Sequence, residues 1–76
     1  MKIGIFCTDC GYEEFINIAD ADGSCPMCHE HHGVNYASAY SSKDLVAELA
    51  KLSEKEISNY AELIKIMATD CVENEL

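Results

Sequence analysis

Four cysteines form the part of this chain best suited to chemistry. They lie in Cys7-Thr8-Asp9-Cys10 and Cys25-Pro26-Met27-Cys28, with the spacing Cys-x2-Cys-x14-Cys-x2-Cys. Two cysteines three apart wrap a tight turn around one ion, and two such pairs complete a tetrahedral thiolate shell. The turn residues agree. Gly11 allows the positive φ that lets backbone amides point at sulfur, and Pro26 fixes φ inside the second turn. Cys7, Cys10, Cys25 and Cys28 are therefore the candidate metal ligands. Such a set accepts zinc or iron. A closed shell leaves no open position for water, which disfavours hydrolytic metal chemistry, so no catalytic residue is expected.

The remaining metal-capable side chains read more plainly. His29, His31 and His32 crowd the segment after the last cysteine. A second metal site, or a histidine replacing one cysteine, is one reading; a solvated, turn-rich exit from the metal site is the other and the expectation here. Cys71 stands alone on a helical pattern without a basic neighbour and is expected as a small apolar filler.

The elements that must hold the cysteines follow from patterning. Lys2 to Phe6 is short, β-branched and apolar, and predicts a strand running into the first pair; Tyr12 to Ile18 predicts a second. Asp20 to Ser24 supplies turn chemistry before Cys25. Gly33 to Ser42 is polar and small and reads as a connection. Ser41 or Ser42 caps a helix over Lys43 to about Lys51, with Leu45, Leu49 and Leu52 at helical spacing and Val46 widening the stripe. Ser53-Glu54-Lys55-Glu56 is a capping box, flanked by Leu52 and Ile57 at the staple positions. It opens a second helix from Glu54 to about Cys71. The main stripe there is Ile57, Tyr60, Ala61, Ile64, Ala68 and Cys71; Leu63 and Met67 extend it, and Ile66 falls on the polar face.

The two knuckles, Cys7-Thr8-Asp9-Cys10-Gly11-Tyr12 and Cys25-Pro26-Met27-Cys28, resemble those of rubredoxin-like zinc ribbons, including the C-terminal metal domain of rubrerythrins and small bacterial zinc-ribbon proteins. The resemblance covers roughly residues 1–36. It implies a ribbon fold, one Zn2+ held by the four cysteines, and an aromatic at Tyr36 packed back over the site. The second knuckle departs from the pattern by placing His29 where glycine is usual, so that turn must tolerate a side chain. The helices carry no Glu-x-x-His pair, so the di-iron chemistry of rubrerythrin is not implied. Classical rubredoxins have a much longer segment between knuckles, which favours zinc here and leaves a rubredoxin-like iron electron carrier as the alternative.

The expected architecture is a small metal-stabilised α+β fold. A zinc ribbon over residues 1–36 precedes a linker and helical hairpin over residues 37–76, packed as one domain. With 76 residues the core alone supplies little stability, and a metal is a common supplement. An odd number of cysteines, and an N-terminus unlike a signal peptide, point to a reducing cytoplasm. No apolar run approaches a membrane span.

Charge narrows the partners. Fourteen acidic residues against five lysines and no arginine give a net charge of −9, and a thiolate-bound divalent metal would add about −2. Phosphate binding needs clustered cations, so nucleic acid is an improbable ligand. The expectation is a non-enzymatic structural-zinc module that contacts a protein partner, or itself as a homodimer through the C-terminal helices. An acidic decoy of a nucleic-acid-binding protein is a further alternative.

Overall fold

The computed structural model describes residues 1–75 as a three-stranded antiparallel sheet followed by helices. Strand β1 (Lys2–Cys7) is central, between β2 (Glu13–Asn17) and β3 (Val34–Ala37). β1 pairs Ile3 with Ile16 and Gly4 with Phe15 on one side, and Ile5 with Tyr36 and Cys7 with Val34 on the other. A short 3-10 turn at Ile18–Asp20 follows β2, with the Asn17 side chain accepting from the Ala19 amide.

β3 corrects the expectation of a bare connection from Gly33 to Ser42. Its four residues alternate half-buried and exposed, too short a run to signal a strand by itself. Only its pairing with the distant β1 gives it one.

The helices begin as their caps require. Ser41 Oγ accepts from the Asp44 amide and opens α1 (Ser42–Leu49). Ser53 and Glu56 form the reciprocal capping box that opens α2 (Glu54–Asn59). The expected single helix from Glu54 to about Cys71 is instead two. Tyr60, at φ −108 and ψ 16, interrupts it, and α3 (Ala61–Glu75) follows. The described residues thus hold three helices, not two. α2 buries none of its residues, whereas Tyr60 packs against the core, so the break lets α3 lie on the sheet while α2 stays in solvent.

The core joins the two halves of the chain. Ile3 and Ile18 from the sheet region pack with Leu45, Met67 and Cys71 from the helices. Tyr36, Tyr40, Leu49, Leu63 and Ile64 close around them. The buried seam of α3 is therefore centred on Met67, not on the line through Ala61 and Ala68, which are exposed. Ile57 (41% exposed) and Val46 (67%) also lie outside the core, while Ile66 faces solvent as its position predicts. Cys71 is a buried filler, its thiol donating toward Ser38 Oγ at 3.1 Å and the Tyr40 carbonyl at 3.2 Å. Asp70 Oδ2 accepts from the Ser38 amide at 2.9 Å, which fastens α3 to the segment after β3.

One face of the sheet takes all of this packing. Ile3, Ile5 and Cys7 point toward the helices and are buried, whereas Phe6, Phe15 and Ala37 on the opposite face are exposed. The molecule is correspondingly flat, with extents of 33 × 31 × 15 Å.

Candidate metal centre

Each cysteine pair sits on the same hydrogen-bonded turn. In the first, the Gly11 amide donates to the Cys7 carbonyl at 2.8 Å, and the Cys7 amide to the Tyr12 carbonyl at 2.8 Å. In the second, the His29 amide donates to the Cys25 carbonyl at 2.8 Å, and the Cys25 amide to the Glu30 carbonyl at 2.9 Å. The residue after the second cysteine has positive φ in both, 78° for Gly11 and 62° for His29. The side chain at His29 is thus accommodated in a left-handed conformation, which histidine adopts more readily than most residues.

The turns bring the four sulfurs together. The Sγ atoms of Cys7, Cys10, Cys25 and Cys28 all lie within 4.8 Å of one another. Cys7 and Cys28 are 3.8 Å apart, Cys10 and Cys25 3.5 Å. Tetrahedral zinc with Zn–S of about 2.3 Å separates its sulfurs by about 3.8 Å. A disulfide needs about 2.05 Å, and all five cysteines are free thiols. Both of these pairs run between knuckles, so one ion can bridge the two turns. The donor set therefore fits a metal ion.

The surroundings treat the two knuckles unequally. Cys7 and Cys25 are buried; Cys28 is half-buried and Cys10 exposed. Desolvation raises Cys25, yet backbone hydrogen bonds from Cys28 and Met27 and the thiols of Cys10 and Cys28 outweigh it and bring it down to about 7. A backbone hydrogen bond from Tyr12 lowers Cys10, but desolvation and the thiols of Cys25, Cys7 and Cys28 overcome it and push Cys10 up to about 12. A backbone hydrogen bond from Glu30 likewise opposes desolvation and Cys25 at Cys28, whose net shift is upward. Without a cation the cluster thus favours one thiolate shared among thiols, because a second negative sulfur would stand beside the first.

Several residues hold the knuckles to the fold. The Thr8 amide donates to the Gly33 carbonyl at 2.9 Å, tying the first knuckle to the chain leaving the second. Gly33 has φ 69, and a Cβ there would displace the Thr8 hydroxyl, so both conformation and space favour glycine. The Gly23 amide donates to Tyr36 Oη at 2.9 Å and anchors the turn before Cys25. Tyr36 thus braces the approach to the second knuckle and packs against the main core. The resemblance points to the Tyr36 ring but not to its hydroxyl bond with Gly23, and Gly33 is signalled only as a glycine beside histidines.

The histidines stay out of the cluster. Among the described residues the metal-capable group is the four cysteines alone. His31 Nδ1 lies 3.3 Å from the Gly23 carbonyl, and His32 Nδ1 3.8 Å from the Glu30 carboxylate on the surface. Asp22 is held below the usual carboxylate range by the Ser24 hydroxyl, then the Ser24 amide, with a smaller contribution from His31.

Comparison with protein-family models, curated proteins and solved structures gives no match. The reading of the site rests on its own geometry. Among the described residues, no helix is long and apolar enough to cross a membrane.

Proposed function

We propose that the chain is a non-enzymatic, rubredoxin-like zinc ribbon whose metal holds the fold together while its surface contacts a protein partner in a reducing compartment. The observation that carries this reading is the mutual approach of four sulfurs within 4.8 Å from two matched turns. Four thiolates would fill the coordination shell of one Zn2+, leaving no position at which a substrate or water could be activated. The ion's role is then energetic. Apparent binding free energies of structural zinc reach about 10–16 kcal/mol in zinc-finger peptides, far more than a core of this size supplies. β1 transmits that stabilisation, since Cys7 ends the same strand whose Ile3 lies in the core against Met67 and Leu45.

Metal analysis of protein purified without affinity chelators, read beside the visible spectrum, tests this. One zinc per chain and a colourless solution are expected. One iron per chain, with visible absorption bleached reversibly by reductant, would replace the structural reading with electron transfer.

A further inference from the structure

The bare face of the sheet is a feature that the metal site does not use. It is formed by alternate residues of all three strands: Lys2, Gly4 and Phe6 of β1, Glu13 and Phe15 of β2, Asn35 and Ala37 of β3. Phe6 is 43% exposed and Phe15 62%. Aromatic side chains of this size normally bury most of their surface, so two of them flanking one strip are a concentrated apolar exposure. Between them lies a shallow cavity of about 320 Å³, lined by Gly4, Ile5, Phe6, Glu13, Glu14, Phe15 and Ala37. Its floor is low because Gly4 has no side chain. A Cβ on Gly4 would stand 3.2 Å from the Ala37 carbonyl and 3.5 Å from Phe15 Cε1, so the Phe15 ring leans across the glycine.

Charge decides what such a floor accepts. Glu13 stands on this face opposite Phe6; Glu14 borders the cavity but pairs with Ile5 on the other side, its carboxylate accepting from the Phe15 amide; Lys2, on the same face beyond Gly4, does not line the cavity. A second copy of this chain would bring another Glu13 to this face, between molecules that each carry a net charge of −9. A partner with lysine or arginine beside an aliphatic side chain meets the apolar floor and the Glu13 carboxylate at once.

We propose that this face docks a protein segment presenting an aliphatic side chain between basic residues. The inference deepens the reading of the chain as an interaction module, and rests on it. The aliphatic group packs between Phe6 and the Phe15 ring that covers Gly4, and a flanking cation pairs with Glu13. The surface acts through the fold that the metal maintains, since Phe6 adjoins Cys7 and Glu13 pairs with Phe6 across the strands.

The test uses the full-length, metal-loaded chain, labelled with nitrogen-15 and titrated with the capped peptide Lys-Lys-Leu-Val-Lys-Lys. Two control peptides replace either the Leu-Val pair with Gly-Ser or every lysine with glutamate. Amide shifts are expected at Gly4, Phe6, Glu13, Phe15 and Ala37, with both controls at least tenfold weaker. Phe15→Ser should weaken binding at least tenfold. Glu13→Lys, which removes no buried side chain, should weaken it several-fold and reduce its salt dependence. Shifts confined to the helices, equal binding of either control, or no shifts at millimolar peptide would overturn the proposal. So would the same amides shifting on concentration of the protein alone, which would assign the face to a second copy. Metal stoichiometry and spectral dispersion are read on the same samples. Lost docking with both intact defeats the docking face alone, whereas an unexpected metal defeats the structural-zinc reading and leaves the docking result standing.

Discussion

The two knuckles share a hydrogen-bond pattern but have different foundations. The first continues β1 and leads into β2, so its ends are held by the central sheet pairing. The second lies between a turn and a histidine-rich stretch, with no strand from Glu13–Asn17 until Val34–Ala37. Its supports are individual contacts: Gly23 to Tyr36, Ser24 to Asp22, His31 to Gly23. One turn geometry is therefore reached twice, once at the end of paired strands and once on a loop held by single contacts.

That difference has its largest consequence when the metal is removed. Chelation, or Cys10→Ser, should loosen residues 20–33 first, with the second turn still forming, while the β1–β2 hairpin and its packing on α3 open less often. Hydrogen exchange followed by mass spectrometry reads this directly: protection from Asp20 to Gly33 should fall by orders of magnitude more than protection within Lys2–Cys7. Equal loss in both would mean that the ion holds the whole molecule and that the knuckles do not differ. Unchanged circular dichroism and unchanged exchange would deny the ion any structural role.

The same contrast marks what could be read in the chain before folding. The four cysteines, the strand leading to Cys7, the Ser41 cap and the Ser53–Glu56 capping box are local patterns, legible because each depends on residues a few positions apart. β3 was hidden because Val34–Ala37 becomes a strand only against β1. The helix break at Tyr60 was hidden because Ile57 continues the helical period although it stays exposed; where the helix is interrupted is a tertiary matter. The stripe of α3 was misplaced by a fraction of a turn for the same reason, since alanines at 61 and 68 satisfy the period but the bulkier Met67 takes the core. The bare face with Phe6 and Phe15 is invisible to patterning because nothing local says which side of a sheet the helices will cover.

Acidity separates the knuckles further. In the metal-free chain Cys25 falls from the ordinary 9.0 to about 7, so its thiolate stabilises the fold fully above 9.0, and that contribution is lost as pH falls through about 7. Cys10 moves the other way, to about 12; its thiol favours the fold below 9.0, and that contribution is lost as pH rises through about 12. Chelated protein should therefore have its highest thermal midpoint near the crossover at 9.0 and a lower one at about pH 6. Cys25→Ser in the metal-free protein should flatten the acid side of that profile. A midpoint that rises monotonically toward acid would show that the second knuckle gains nothing from the thiolate. Metal binding near neutrality should release at least two protons per ion, from Cys10 and Cys28, measurable by titration in weak buffer.

The smallest effect isolates the turn itself. Gly11 and His29 occupy equivalent left-handed positions, at φ 78 and φ 62. A Cβ on Gly11 would have nothing within 4 Å, so Gly11→Ala meets only the backbone penalty of about 1–2 kcal/mol, partly offset by a stiffer unfolded chain. A net loss of about 1 kcal/mol is expected in denaturant unfolding of the metal-loaded protein. His29→Gly removes the same penalty from the second knuckle and frees the unfolded chain, so a gain of about 0.5 kcal/mol is expected. If His29→Gly destabilised the protein, the imidazole would be contributing contacts beyond its backbone conformation, and the second knuckle would depend on a side chain for which the first has no counterpart.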